Sequence, residues 1–193
     1  MNIPKHLRVE LLLLLLIVAI GVGSRFWLLD WPNFKPVAAL CLFGGFLFRR
    51  YLFAVAAGVL ILLISDWQLG GYSWQISLAV YGSMLIACGL GWRIKKRSDE
   101  QLGTPLKNWQ LGGFALSSLI MSIVFFVSTN MAVWCFAGWY SPGLAGLAEC
   151  FYAAIPFFRW TLLSDLFFTG ALVAVYQAVC LFAENRLPAM ITE

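Results

Sequence analysis

The sequence predicts an all-α protein, a polytopic transmembrane helical bundle of about six spans, some of them short or re-entrant. Hydrophobic residues make up 62% of the 193-residue chain and charged residues only 11%, whereas a soluble domain carries roughly 25% charged residues. About six spans of ~20 residues would occupy most of this length. We therefore expect a single integral membrane domain over residues 1–193, with no room for a soluble catalytic domain.

The first four apolar stretches follow one another closely. The stretch 9–29 comes after a basic flank and exceeds the ~7–15 apolar residues of a signal peptide, so we expect an uncleaved span. The stretch 36–48 is too short to cross a bilayer of normal thickness. The next stretch, 51–65, ends at Asp66, and a further span covers about 72–92.

The second half of the chain begins with a charged loop at 93–107. The fifth span is about 109–136. The weakly apolar stretch 144–158 is interrupted by Pro156, which indicates an interfacial helix or a re-entrant segment. The last span is expected at about 160–183.

The distribution of basic residues predicts the orientation. Starting inside and crossing six times places most of them on the inner side: Lys5, Arg8, Arg49, Arg50, Arg93, Lys95, Lys96, Arg97, Lys107 and Arg186. The outer side keeps Arg25, Lys35 and Arg159. This bias predicts cytoplasmic termini in a multi-pass protein of the cell inner membrane. Because the basic residues lie in short loops, they indicate topology and not nucleic-acid binding.

Two serine–aspartate pairs, Ser65-Asp66 and Ser164-Asp165, lie in apolar surroundings. A carboxylate near the lipid core is costly, so it usually has a partner or a function. The predicted topology places both pairs toward the outer side at similar depth. The alternative is that both aspartates cap helix ends or contact water near the lipid headgroups.

Polar and aromatic residues of the outer half form the predicted substrate-binding set: Asn33, Asp66, Asn130, Trp134, Arg159 and Asp165. Carboxylates, carboxamides and tryptophan rings facing one cavity suit a small polar or cationic solute. Arg159 could instead pair with Asp165 or Glu149, or bind an anionic group. The alternative is a set of satisfied interfacial groups, with Asn130 as a contact between helices.

Motifs for metal binding and catalysis are missing from the sequence. The five cysteines form no CxxC pair, and the single histidine, His6, lies in the basic N-terminal flank. We therefore expect no metal, no cofactor and no enzymatic activity. An intramembrane aspartyl protease is a weaker alternative, because Asp66 and Asp165 lack the motifs of such enzymes.

Several segments in order resemble a bacterial family of uncharacterised membrane proteins associated with transport. These are 32–45 (PNFKPVAALCLFGG), 65–66, 129–134 (TNMAVW), 150–159 (CFYAAIPFFR) and 162–165. That family is similar in architecture to the substrate-binding S components of energy-coupling-factor transporters. The resemblance implies a compact six-helix protein that binds a small solute from outside. It also implies partners, namely a coupling membrane subunit and two ATPases.

Two details qualify this resemblance. S components often carry alanines four residues apart in the first helix for docking the coupling subunit, and the nearest match here is Ala19 with Gly23. Nickel- and cobalt-type S components use an N-terminal histidine motif that has no equivalent here, which argues against those metals. The main rival function is a non-transporting membrane scaffold of the cell-envelope machinery.

Overall fold

The computed structural model describes residues 4–98 and 103–186, and every regular element in these ranges is an α-helix. In chain order the helices are α1 (Lys5–Trp27), α2 (Val37–Leu47), α3 (Tyr51–Leu69), α4 (Trp74–Lys96), α5 (Asn108–Phe136) and α6 (Leu144–Arg186). Five of these six are long and apolar enough to cross a membrane, and α2 is shorter. The predicted all-α membrane bundle is therefore confirmed.

Helices α1 and α3 run in the same direction. Glu10, near the start of α1, accepts hydrogen bonds from the backbone just before α3. Arg25, near the end of α1, contacts Asp66 near the end of α3. Helix α2 must therefore return between them. We name the end with Glu10 the basic end, and the end with Arg25 the tryptophan end, because Trp27, Trp67 and Trp74 lie there.

The remaining helices continue this alternation. Helix α4 begins at the tryptophan end, and its Lys95 donates a hydrogen bond to the Phe48 carbonyl at the basic end. After α5 has crossed the bundle, α6 returns, so that Gln177 meets the backbone of Leu106 just before α5. Helix α1 therefore begins, and α6 ends, at the basic end, in agreement with six predicted passes.

Helix α2 is short because the residues on both sides of it do not continue the helix. Pro36 precedes it, and Phe48 after it has extended backbone. Its 11 residues span about 16 Å at 1.5 Å per residue, which is less than a hydrocarbon core of ~30 Å. Nearly all of α2 is buried in the bundle. Pro36 and Phe48, which border α2 on its two sides, are themselves buried, so protein covers the backbone where the helix begins and ends.

Small residues allow α2 and α4 to pack backbone against backbone. A Cβ atom added to Gly45 of α2 would collide with the Cys88 carbonyl, and one added to Gly91 of α4 would collide with the Leu42 carbonyl. Glycines at helix contacts permit this close approach in membrane proteins. This pair of contacts holds α2 in the centre of the bundle.

The glycine of α1 that packs internally is Gly21. A Cβ atom there would come within 2.5 Å of the Ile61 side chain of α3. Gly23 has no such neighbour within 4 Å, and Ala19 is exposed. The Ala19–Gly23 pair therefore faces away from the described part of the bundle.

The predicted interruption at Pro156 was wrong. Residues 144–158 and 160–183 belong to the single 43-residue helix α6, with Pro156 inside it. Proline removes one backbone donor, but membrane helices accommodate it when neighbouring groups satisfy the freed carbonyl. At 1.5 Å per residue α6 is about 64 Å long, about twice a ~30 Å hydrocarbon core. Part of α6 therefore extends beyond the apolar layer or crosses it at a strong tilt.

Candidate functional site

A cavity of about 310 Å³ lies at the tryptophan end, and all six helices or their connections contribute to its wall. Its polar lining residues are Arg25, Asn33, Lys35, Tyr72, Thr129, Asn130, Thr161 and Asp165. Its apolar lining includes Leu62, Ile76, Val80, Met84, Phe125, Phe126, Val133, Phe157 and Phe158. This volume and this mixture of apolar wall and few polar groups are typical of small-molecule sites.

Asp165 is the buried carboxylate of the cavity. It lies on α6 and is only 5% exposed. The Ser122 hydroxyl of α5 donates to its Oδ2 over 2.7 Å. A carboxylate has room for about four hydrogen bonds, so Asp165 keeps acceptor capacity for a ligand. Beside it, Ser164 donates to the Lys35 carbonyl over 2.9 Å and ties the α1–α2 connection to α6.

Asp66 has a different role from Asp165. Its Oδ1 forms an ion pair with Arg25 Nη1 at 2.6 Å, and the Tyr81 hydroxyl donates to its Oδ2 over 3.1 Å. Arg25 Nη1 also donates to the Ser65 hydroxyl. Arg25 lines the cavity, whereas Asp66 does not. Asp66 therefore neutralises and orients a cationic wall residue.

Lys35 supplies a second cation. It lies in the connection between α1 and α2 and donates to the Trp31 carbonyl over 3.2 Å. Burial lowers the pKa of Lys35 below its usual value, and the positive charge of Arg25 lowers it further. The two cations therefore repel each other at the cavity wall.

Two asparagines complete the polar wall. Asn33 is an exposed residue of the α1–α2 connection with a φ of 59°, a left-handed conformation that asparagine tolerates better than most residues. Asn130 of α5 donates from Nδ2 to the Phe126 carbonyl over 2.7 Å. Its amide oxygen remains available as an acceptor, so Asn130 can both pack in the helix and contact a ligand.

Trp134 and Arg159 do not line the cavity. The Trp134 indole N–H donates to the Ser141 carbonyl over 3.3 Å. Arg159 is exposed, and its guanidinium lies 5.4 Å from the Trp160 ring centroid. Of the predicted set, Asn33, Asn130 and Asp165 line the cavity together. Asp66 does not line it but contacts the lining residue Arg25. A role for any of these residues in ligand binding stays a prediction.

Residues 5–190 match DUF6580, a family of unknown function. The chain belongs to this family. No curated protein and no solved structure matches the sequence of this chain. The predicted relation to an uncharacterised family is confirmed at this level, and the link to transport stays a prediction.

Arg25 and Lys35 line the cavity of this DUF6580 protein but were not among the predicted site residues. A signal for both was present in the charge distribution. They are two of the three basic residues on the outer side of the predicted topology, where the positive-inside rule disfavours them. A basic residue that violates the topological bias is a candidate for function, and two of the three were cavity residues.

Side chains that could hold a metal are not clustered in the described ranges. No group of three or more His, Cys, Asp or Glu residues occurs in residues 4–98 and 103–186. The cysteines of α2 and α4, Cys41 and Cys88, are buried against each other's helices. The polar groups of the cavity offer charges and hydrogen-bond donors and acceptors.

Proposed function

We propose that this DUF6580 protein is a solute-binding membrane subunit of a transport system, similar in role to an S component. The observation that carries the proposal is the 310 Å³ cavity, which combines an apolar wall with charged and amide side chains. In the predicted orientation the tryptophan end faces outward, so the cavity would receive a solute from outside the cell inner membrane. We assign no catalytic residue.

The arrangement of the wall favours binding over a purely structural role. A packed helical bundle fills its interior and leaves few voids larger than a water molecule. Here an open cavity is lined by Asp165, which is almost completely buried and accepts one hydrogen bond from the protein. Because burying a carboxylate costs free energy, a structural purpose would be met at lower cost by an apolar residue.

Blocking the cavity should abolish solute retention. Native mass spectrometry of gently purified wild-type protein is expected to show a bound small molecule. Ala154→Trp places an indole into the cavity, since Ala154 lines it, and this variant is expected to lose the bound mass. Ala153→Trp is the matched control, because Ala153 is exposed and lies outside the lining. Equal retention by both variants would contradict a solute site in this cavity.

Asp165 should contribute more to the affinity for the solute than Asp66. Asp165→Asn keeps one acceptor oxygen for Ser122 but replaces the second carboxylate oxygen by a donor, and we expect at least a tenfold loss of affinity for the retained solute. Asp66→Asn weakens the ion pair that orients Arg25 and should have a smaller effect. Arg159→Gln is the control, because Arg159 is exposed and outside the cavity. If neither aspartate variant changes binding in folded protein, the site assignment is wrong.

Partner subunits would supply the energy for transport. We propose a coupling membrane subunit and ATPases, and the exposed Ala19 and Gly23 of α1 offer a face at which another helix can approach closely. Copurification with an ATPase would support this proposal. Copurification with cell-envelope machinery, in protein that retains no solute, would favour a membrane scaffold.

A further inference from the structure

We propose that the solute is an amphiphilic organic anion, with its acidic group held by Arg25 and Lys35 and its apolar body against phenylalanine rings. This inference rests on the proposed solute-binding function and specifies the chemical class of the ligand. It differs from the sequence expectation of a polar or cationic solute, because that expectation did not include Arg25 and Lys35.

Lys35 is the first reason for an anionic ligand. It lines the cavity and is partly buried, and within the described residues it forms no ion pair. Its ammonium group donates one hydrogen bond to the Trp31 carbonyl, which leaves two of its three donors free. An unpaired cation at a partly buried wall is stabilised by an opposite charge.

Arg25 is the second reason. Its Nη1 group is engaged with Ser65 and Asp66. Within the described chain its Nε and Nη2 donors have no protein acceptor, and the residue lines the cavity. A guanidinium that is anchored on one side presents a planar pair of donors on the other, which matches a carboxylate or a phosphate.

Among the described residues, Lys35 is the cation of this wall that has no ion-pair partner. Asp66 neutralises Arg25 but does not line the cavity, and Asp165 is bonded to Ser122 on the α5–α6 side. Burial is the main cause of the lowered pKa of Lys35, and the positive charge of Arg25 lowers it further, so the two cations repel each other. A bound anion would relieve the repulsion between the two cations.

Part of the cavity wall is aromatic. Phe125 and Phe126 of α5 and Phe157 and Phe158 of α6 line the cavity. Phe126 and Phe158 are in contact, with ring centroids 4.7 Å apart. Such a surface favours an aromatic or branched apolar body. Asp165 and Asn130 can then accept hydrogen bonds from a polar substituent on that body.

The test compares three probes that share a phenyl ring on a short alkyl chain and differ in the end group and its charge: 3-phenylpropionate, its neutral amide 3-phenylpropanamide, and the cation 3-phenylpropylamine. Isothermal titration calorimetry on purified full-length protein is expected to give at least tenfold tighter binding for the acid than for the other two. Lys35→Gln should reduce the preference for the acid over the amide severalfold, with the remainder supplied by Arg25. Lys35→Arg keeps the charge and should keep most of the binding, and Arg159→Gln should leave it unchanged.

Phosphatidylglycerol nanodiscs distinguish a free anion from an anionic lipid headgroup. If this lipid competes with 3-phenylpropionate, the acidic group comes from a lipid; if it does not, the ligand is a free solute. Both results support the anionic class. Equal or tighter binding of the amine or the amide overturns it while the solute site stands.

A final outcome separates the two proposals. If no probe binds, the charge of the molecule retained by wild-type protein and lost in Ala154→Trp decides: an anion supports the inference, and a cation or a neutral molecule overturns it. If no probe binds and the two proteins retain the same molecules or none, the proposed function itself fails.

Discussion

Gly91→Val is expected to disrupt the packing of α2 against α4 and to lower the free energy of unfolding by more than about 3 kcal/mol. A Cβ atom at Gly91 would collide with the Leu42 carbonyl, which is backbone and cannot rotate away. Overpacking against side chains costs about 1–3 kcal/mol, and moving a buried helix costs more. Gly45→Val should behave in the same way, because its Cβ would meet the Cys88 carbonyl. Unfolding in detergent, followed by circular dichroism, measures the loss.

Gly82→Val is the matched control for this prediction. Gly82 lies on the same helix, α4, and has no atom within 4 Å of its Cβ position. Valine there should change the stability by less than about 1 kcal/mol, because only helix propensity is involved. Equal stabilities of Gly91→Val and Gly82→Val would show that α2 and α4 are not packed backbone to backbone.

Composition and local pattern were sufficient for the architecture. Runs of apolar residues long enough to cross a bilayer are a direct consequence of its thickness, so the borders of α3, α4 and α5 were predicted to within a few residues. The brevity of α2 was also predictable, since Pro36 and the arginines at 49 and 50 bound it on both sides. In each of these cases, residues that are close together in the sequence determine where the helix begins and ends.

Helix α6 shows where local pattern fails. Proline breaks helices in water, and Pro156 lies inside the weakly apolar stretch 144–158, so a break was expected there. In a membrane protein the surroundings of the helix decide whether the unpaired carbonyl is tolerated. Here α5 packs along this part of α6, with Phe126 against Phe151 and Phe158 on both sides of the proline. Sequence alone does not reveal this contact.

The two serine–aspartate pairs looked equivalent in sequence and differ in the structure. Both were selected by one physical argument, the cost of a carboxylate in apolar surroundings. In the structure the two carboxylates are stabilised differently. Asp66 forms an ion pair with Arg25, whereas Asp165 accepts a hydrogen bond from the Ser122 hydroxyl and lines the cavity. Arg25 is 41 residues from Asp66 along the chain, so no local pattern could identify it as the partner.

No function was predicted for Glu10, which lies inside the predicted first span, 9–29. The structure places it on α1 at the basic end, only 4% exposed. Its Oε1 accepts hydrogen bonds from the backbone amides of Arg49 and Arg50, at 2.8 and 3.3 Å. These amides directly precede α3, where the positive end of the helix dipole also favours a carboxylate. Glu10 thus joins α1 to the short turn between α2 and α3.

Glu10→Ala is therefore expected to lower the free energy of unfolding by about 2–3 kcal/mol, because two backbone donors lose a charged acceptor. Glu10→Gln keeps an acceptor oxygen for both amides and should cost less than the alanine variant. Detergent unfolding of both variants, monitored by circular dichroism, measures the difference.

The control for Glu10 is Glu149→Ala, at an exposed glutamate near the start of α6, which should shift stability by less than about 0.5 kcal/mol. The order of stabilities expected is wild type and Glu149→Ala together, then Glu10→Gln, then Glu10→Ala. If glutamine is as damaging as alanine, the negative charge among the arginines and Lys95 matters more than the hydrogen bonds. If Glu10→Ala is as stable as Glu149→Ala, Glu10 does not hold the α2–α3 turn against α1.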